Sequence, residues 1–178
     1  SIDSATRASH SLPPPFVTFR TLAPRDVHGR LAVRSLARDA KTQVTALSCT
    51  RVHYADGRGL CAAYEDSGRN VRHVTYVFDA HFRRQAKIEL DGIPVRLRVA
   101  PGGQVGAITT YMEEESGGGE RLTTNTRIVD MQNGRSLANV REFRVEHDGF
   151  APVTMPIDIA SMVFEADGAF AFSFGEGV

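Results

Sequence analysis

The stretch TRVHYADGRGLCAAYE, residues 50–65, decides the fold. It reads as a strand, a tight reversal at Ala55-Asp56-Gly57 and a second strand. Glycine tolerates the positive φ that a type I turn followed by a bulge demands, so the two strands can reverse at once. The same form returns at VRLRVAPGGQVGAITTY (95–111) and ASMVFEADGAFAFSF (160–174), with Gly103 and Gly168 at the turns. Internal similarity of this kind marks a repeat architecture.

A second unit follows the first two hairpins. HVTYVFDAHF (73–82) and NTRIVDMQNG (125–134) each run apolar into an aspartate, Asp79 and Asp130, that starts the next reversal. The two aspartates are 51 positions apart and the turn glycines Gly57 and Gly103 are 46 apart. Fourth strands follow at QAKIEL (85–90) and SLANVREF (136–143). Four strands in about 50 residues is the period of a β-propeller blade. The expected class is all-β: four-stranded antiparallel sheets forming an incomplete propeller of about three blades. The pattern places blades over approximately 16–43, 44–90 and 93–145, with a partial blade over 157–178. Residues 1–15 are expected to form a flexible arm stiffened by Pro13, Pro14 and Pro15. The insertion EEESGGGERLTT (113–124) is expected to be a solvated loop.

Blade count turns this into a statement about partners. A propeller closes with about four or more blades, so these strands need another chain, a second copy or a longer protein to complete the ring. The sheet edges at Val17, Phe19 and Leu22 and at Phe170, Phe172 and Phe174 are the expected interaction surfaces, because an uncovered edge is an aggregation hazard.

Composition narrows the classes of function. Lys and Arg total 21 against 21 Asp and Glu, which disfavours a nucleic-acid footprint built on surplus basic charge. No apolar run approaches the roughly 20 residues that span a bilayer. The N-terminus lacks an initiating Met and an apolar signal region, and reads as a mature or trimmed end. His10, His28, His53, His73, His81 and His147 show no metal-ligand spacing. Glu113, Glu114, Glu115 and Glu120 flank glycines and read as a solvated charge run. No Gly-x-Ser-x-Gly elbow and no phosphate loop occur, so no catalytic residue, metal or cofactor is assigned. Arg83, Arg84 and Lys87, in HFRRQAK (81–87), form the strongest local basic patch and a candidate contact for an anionic partner.

At GIPVRLRVAPGGQVGAITTY (92–111) and TNTRIVDMQNGRSLANVREF (124–143) the chain resembles the TolB-like propellers of bacterial cell envelopes. Its hairpin turns resemble that family's Ser/Ala-Pro-Asp-Gly repeat, with Gly102 standing where the pattern has Asp and Ala166 where it has Pro. From Phe16 to Phe174 the chain is similar to the N-terminal half of actinobacterial TolB-like proteins. The resemblance implies an extracytoplasmic, non-catalytic propeller serving as a protein-interaction platform. Two other readings stand beside it: the propeller domain of a peptidase- or lactonase-like hydrolase, and a ligand or glycan sensor whose funnel is lined by Tyr54, Tyr64, Tyr76 and Tyr111.

Cys49 and Cys61 are too few and too far apart for a zinc site. A type I turn with a bulge would set Cys61 opposite Arg51, one diagonal step from Cys49, so a disulfide is within geometric reach and an envelope location favours it. The alternative is a pair of buried thiols filling the core.

Overall fold

Along residues 60–63 every side chain is apolar (Leu60, Cys61, Ala62, Ala63), where a strand with one wet face would alternate. Successive side chains of a strand point to opposite faces, so this segment needs a covered surface on both sides. The computed structural model provides it. The structure describes residues 15–22, 25–66, 68, 71–116 and 119–143, and the backbone of the strands at 159–164 and 170–174.

The chain is all-β and built of antiparallel meanders. The first sheet has β1 (Phe16–Arg20), β2 (Arg30–Ser35) and β3 (Gln43–Ser48), in that order. The second runs β4 (Arg51–Ala55), β5 (Arg58–Asp66), β6 (Val71–Asp79) and β7 (Arg84–Glu89). The third runs β8 (Ile93–Val99), β9 (Val105–Ser116), β10 (Gly119–Asp130) and β11 (Ser136–Asn139). A final pair joins β12 (Ile159–Phe164) to β13 (Phe170–Phe174).

Alternation divides the core in two. From the second sheet Cys61, Ala63, Val74, Tyr76 and Phe78 pack against Leu31, Val33, Leu47 and Cys49 of the first sheet and its exit. From the other face Leu60, Ala62, Val77 and Ile88 pack against Leu97, Val99, Ile108, Val129 and Met131 around the third. The second sheet is therefore enclosed, and β12 lies against β8 and β10 of the third. The first strands of consecutive sheets are neighbours: β1 lies against β4, and β4 against β8.

The repeated aspartates do the same work twice. Asp79 Oδ1 accepts hydrogen bonds from the amides of His81 and Arg83, both at 2.9 Å, and its own amide donates to Arg83 O. Asp130 Oδ1 accepts from the Gln132 amide at 2.7 Å, Oδ2 accepts from Asn133 Nδ2 at 2.9 Å, and its amide donates to Arg135 O. Carboxylates that bond the backbone two residues on are the usual initiators of such reversals. Each reversal is preceded by a β-bulge two residues before its aspartate, at Val77/Phe78 and Ile128/Val129. The repeat thus extends from sequence to strand irregularity.

Four expectations need correction. The first hairpin has a two-residue turn, with Ala55 opposite Arg58 and positive φ at both Asp56 (41°) and Gly57 (82°). That is the type I′ geometry whose twist matches the flanking strands, so no bulge follows and Cys61 faces Val52 where Arg51 was expected. The second hairpin turns instead through Pro101-Gly102: the Gly103 amide bonds Ala100 O at 2.9 Å and Gly102 has φ 87°. Pro at the first central position and Gly at the second are what a type II turn takes, which explains a glycine where the repeat has Asp. Residues 113–116 and 119–124 are strand where a loop was expected: β9 and β10 pair without interruption from Val105↔Asp130 to Ser116↔Gly119. Each added pair extends a ladder already nucleated, and Thr123, Thr124 and Tyr111 favour strands, so a charged composition did not break it. Finally, β3 reaches Ser48 and pairs with β2, so the first sheet runs past residue 43 and the second begins at Arg51. Gly168 and residues 1–14 lie outside the described residues.

The two turns meet. A Cβ on Gly103, which has φ 66°, would stand 2.8 Å from Asp56 O. Gly103→Ala is expected to lose about 1–2 kcal/mol, from left-handed strain plus that close approach. Chemical denaturation checks it, and Gly102→Ala, with open space around its Cβ, isolates the strain alone.

Candidate functional site: the arginine groove along the first strands

The side-by-side first strands shape a groove of about 430 Å³ lined by Arg20 of β1, Thr50, Arg51 and Val52 at β4, and Val95, Arg96, Leu97 and Arg98 of β8. Its charge follows from the strand sequences FVTFR, RVHYA and IPVRLRV, which carry arginines at the groove. Among the described residues no carboxylate lines it. Arg51 Nε donates to Pro94 O at 3.1 Å, tying β4 to β8, and Arg98 Nη1 donates to Leu97 O at 2.8 Å. These bonds fix the two side chains while using one guanidinium nitrogen of each.

His53, on β4, makes a second tie to β8. Its Nδ1 accepts a hydrogen bond from the Val99 amide at 3.0 Å, which requires the neutral ring. Burial, and then the nearby Arg98 charge, hold its pKa below the ordinary histidine value. The unfolded chain then takes up a proton near pH 6.5 while the folded chain resists, so the full contribution is present above about pH 6.5 and is lost as pH falls through the lower folded value. Urea midpoints are expected to drop between pH 7 and pH 5, and His53→Gln should flatten that dependence.

A second cleft, of about 260 Å³, lies beside the disulfide and is lined by Arg20, His28, Cys49, Tyr64, Tyr76 and Arg84 among others. The residues of the expected basic patch lie around it. Arg84 lies over the Tyr76 ring, 3.9 Å from its centre. Lys87 pairs with Glu65 at 3.0 Å and with Glu89 at 3.5 Å. The Tyr76 hydroxyl also donates to Glu65, and that bond, followed by the one from Lys87, lowers the Glu65 pKa. Arg83 is exposed on the adjoining turn. Arg84 and Lys87 thus both lie near Glu65, with Arg83 beside them on the turn.

Cys49 and Cys61 form a disulfide with Cα atoms 5.3 Å apart. Cys49 follows β3, its amide bonding Gly29 O, while Thr50 N–H already bonds Ala62 O in the second sheet. The bridge thus crosses between sheets where the chain itself crosses. Val17 and Phe19 are 43% and 37% exposed. They oppose Arg34 and Ala32 on β2, whereas Thr18 and Arg20 oppose Val33 and Leu31, which face the second sheet. The exposed pair therefore lies on the outer face of the first sheet, which β1 also borders as an edge strand. Leu22, just beyond β1, is 71% exposed. Phe170, Phe172 and Phe174 fall on β13, which pairs with β12 alone among the described strands.

The four tyrosines do not share a funnel. Tyr54 packs among Phe16, Phe78 and Phe82, Tyr64 meets His73 edge-on, and Tyr111 is exposed on β9. Among the described residues no three His, Cys, Asp or Glu side chains converge as a metal site, and no helix is long and apolar enough to cross a membrane.

No family model, curated protein or solved structure matches the chain.

The groove arginines form no local charge run in the sequence. Arg20, Arg51 and Arg96 lie 31 and 45 positions apart, and only the stacking order of the sheets joins them. The signal that would have found them is an arginine in successive first strands of the repeat.

Proposed function

We propose that the three sheets and the terminal strand pair are consecutive blades of a TolB-like β-propeller, acting outside the cytoplasm as a non-catalytic interaction platform. The carrying observation is the enclosure of the second sheet between the first and third, with β1, β4 and β8 side by side. Blades stacked face to face around an axis have their first strands innermost and adjacent. The disulfide supports an oxidising compartment.

In this reading the outer face of the first sheet receives another sheet, from a partner chain or a second copy. Val17 and Phe19 supply its apolar centre, on the same face as the small buried cluster of Val27, Ala32 and Val44. A photo-crosslinking phenylalanine analogue at position 17 is expected to yield a covalent adduct with another polypeptide. The same analogue at Arg135, on the turn before β11, should yield none. Absence of any adduct at position 17 would count against the platform. A second reading, an extracytoplasmic ligand sensor, draws on one observation, the arginine groove.

A further inference from the structure

We infer that the groove along β1, β4 and β8 is a binding site for a small polyanionic ligand bearing phosphate or clustered carboxylate groups. The site stands on the groove itself and does not depend on how a ring would close. Among the described residues that line it, Arg20, Arg51, Arg96 and Arg98 are arginines and none is acidic, in a chain whose 21 bases are matched by 21 acids. Such a local imbalance in a concave surface focuses positive potential toward the groove.

The arginines are also prepared for a ligand. Arg51 and Arg98 are each tethered through one nitrogen to a backbone carbonyl, Pro94 O and Leu97 O. A tethered guanidinium loses less freedom on binding and presents its remaining N–H groups in a planar fork that matches phosphate and carboxylate oxygens. Three strands supply the charges, so a ligand there bridges the first, second and third sheets. Val52, Val95 and Leu97 give the groove apolar walls, as in small-molecule sites where a few polar groups set orientation. At about 430 Å³ the groove admits a ligand larger than a single inorganic ion.

Calorimetric titration of the intact protein with pyrophosphate, citrate and acetate, at constant ionic strength, tests the inference. Pyrophosphate or citrate should bind with a Kd of about 0.1 mM or tighter, and acetate should not. Binding of pyrophosphate alone assigns phosphate chemistry, binding of citrate alone assigns carboxylates, and binding of both assigns the shared oxyanion chemistry. Arg51→Gln and Arg98→Gln should each weaken binding about tenfold or more, while Arg135→Gln on the far turn leaves it unchanged. Arg20→Gln alters an exposed residue of an edge strand and gives the same reading if either of those variants fails to fold. In the unmodified protein, amide shifts on titration should concentrate at Val52, Val95 and Leu97. Failure of both polyanions to bind, or equal weakening by Arg135→Gln, overturns the site.

Discussion

Phe78→Ala is expected to destabilise the protein by about 3–5 kcal/mol, lowering the melting temperature by roughly 10 °C or more. Phe78 is fully buried on β6 and belongs to the core between the first and second sheets. Its ring stacks on Tyr54 at 6.0 Å and meets Phe82 at 5.9 Å. It also lies across Gly59, its partner on β5, where an added Cβ would stand 2.1 Å from the ring. The ring occupies space that glycine leaves open, and neither strand can close in to refill it. Truncation therefore leaves a cavity as well as lost burial, the condition under which large-to-small changes cost most. Thermal or urea denaturation checks the value. Leu122→Ala, at a side chain 64% exposed, should stay within about 0.5 kcal/mol of the parent.

The second large effect belongs to the disulfide. Removing it by Cys49→Ala with Cys61→Ala should cost about 3 kcal/mol, measured as a fall in the denaturation midpoint. Its sequence separation is 12 residues, yet those residues join two sheets, so the loss is local in a way a melting curve does not reveal. Amide exchange should show β2 and β3 losing protection first, while β5 and β6 retain theirs. Both sulfurs belong to buried residues, 3% and 0% exposed, so reductant without denaturant should open the bridge slowly. Equal loss of protection across all three sheets would show that the bridge staples the whole fold and not the first interface.

What was legible in the sequence was the repeat. The hairpins at 50–65 and 95–111, the aspartates at 79 and 130 and the fourth strand at 85–90 fall where the text places them, because turn residues act locally and period-2 alternation survives in a string. The strand expected over 136–143 ends at Asn139 and gives way to a 3-10 turn over Val140–Glu142. What escaped depends on geometry beyond the strand. Ala55-Asp56-Gly57 is compatible with more than one turn, and only the pairing of Ala55 with Arg58 selects two positive φ values. The run at 113–124 reads as a loop from its charge, since composition does not register that β9 and β10 support each other. Val17 and Phe19 were legible as belonging to a sheet edge, but the face they occupy followed only from the register with Arg34 and Ala32. The arginine groove was illegible because its residues belong to three different sheets.

The account rests on the outer face of the first sheet being covered in the working protein. Hydroxyl-radical footprinting of the native assembly, read at Phe19 with exposed Tyr111 as the internal reference, tests this most directly. Phe19 is predicted to be oxidised several-fold more slowly than its 37% exposure in the isolated chain implies, and to regain full reactivity when the assembly is dissociated. Oxidation of Phe19 at the isolated-chain rate in a stable single-chain particle would contradict the account.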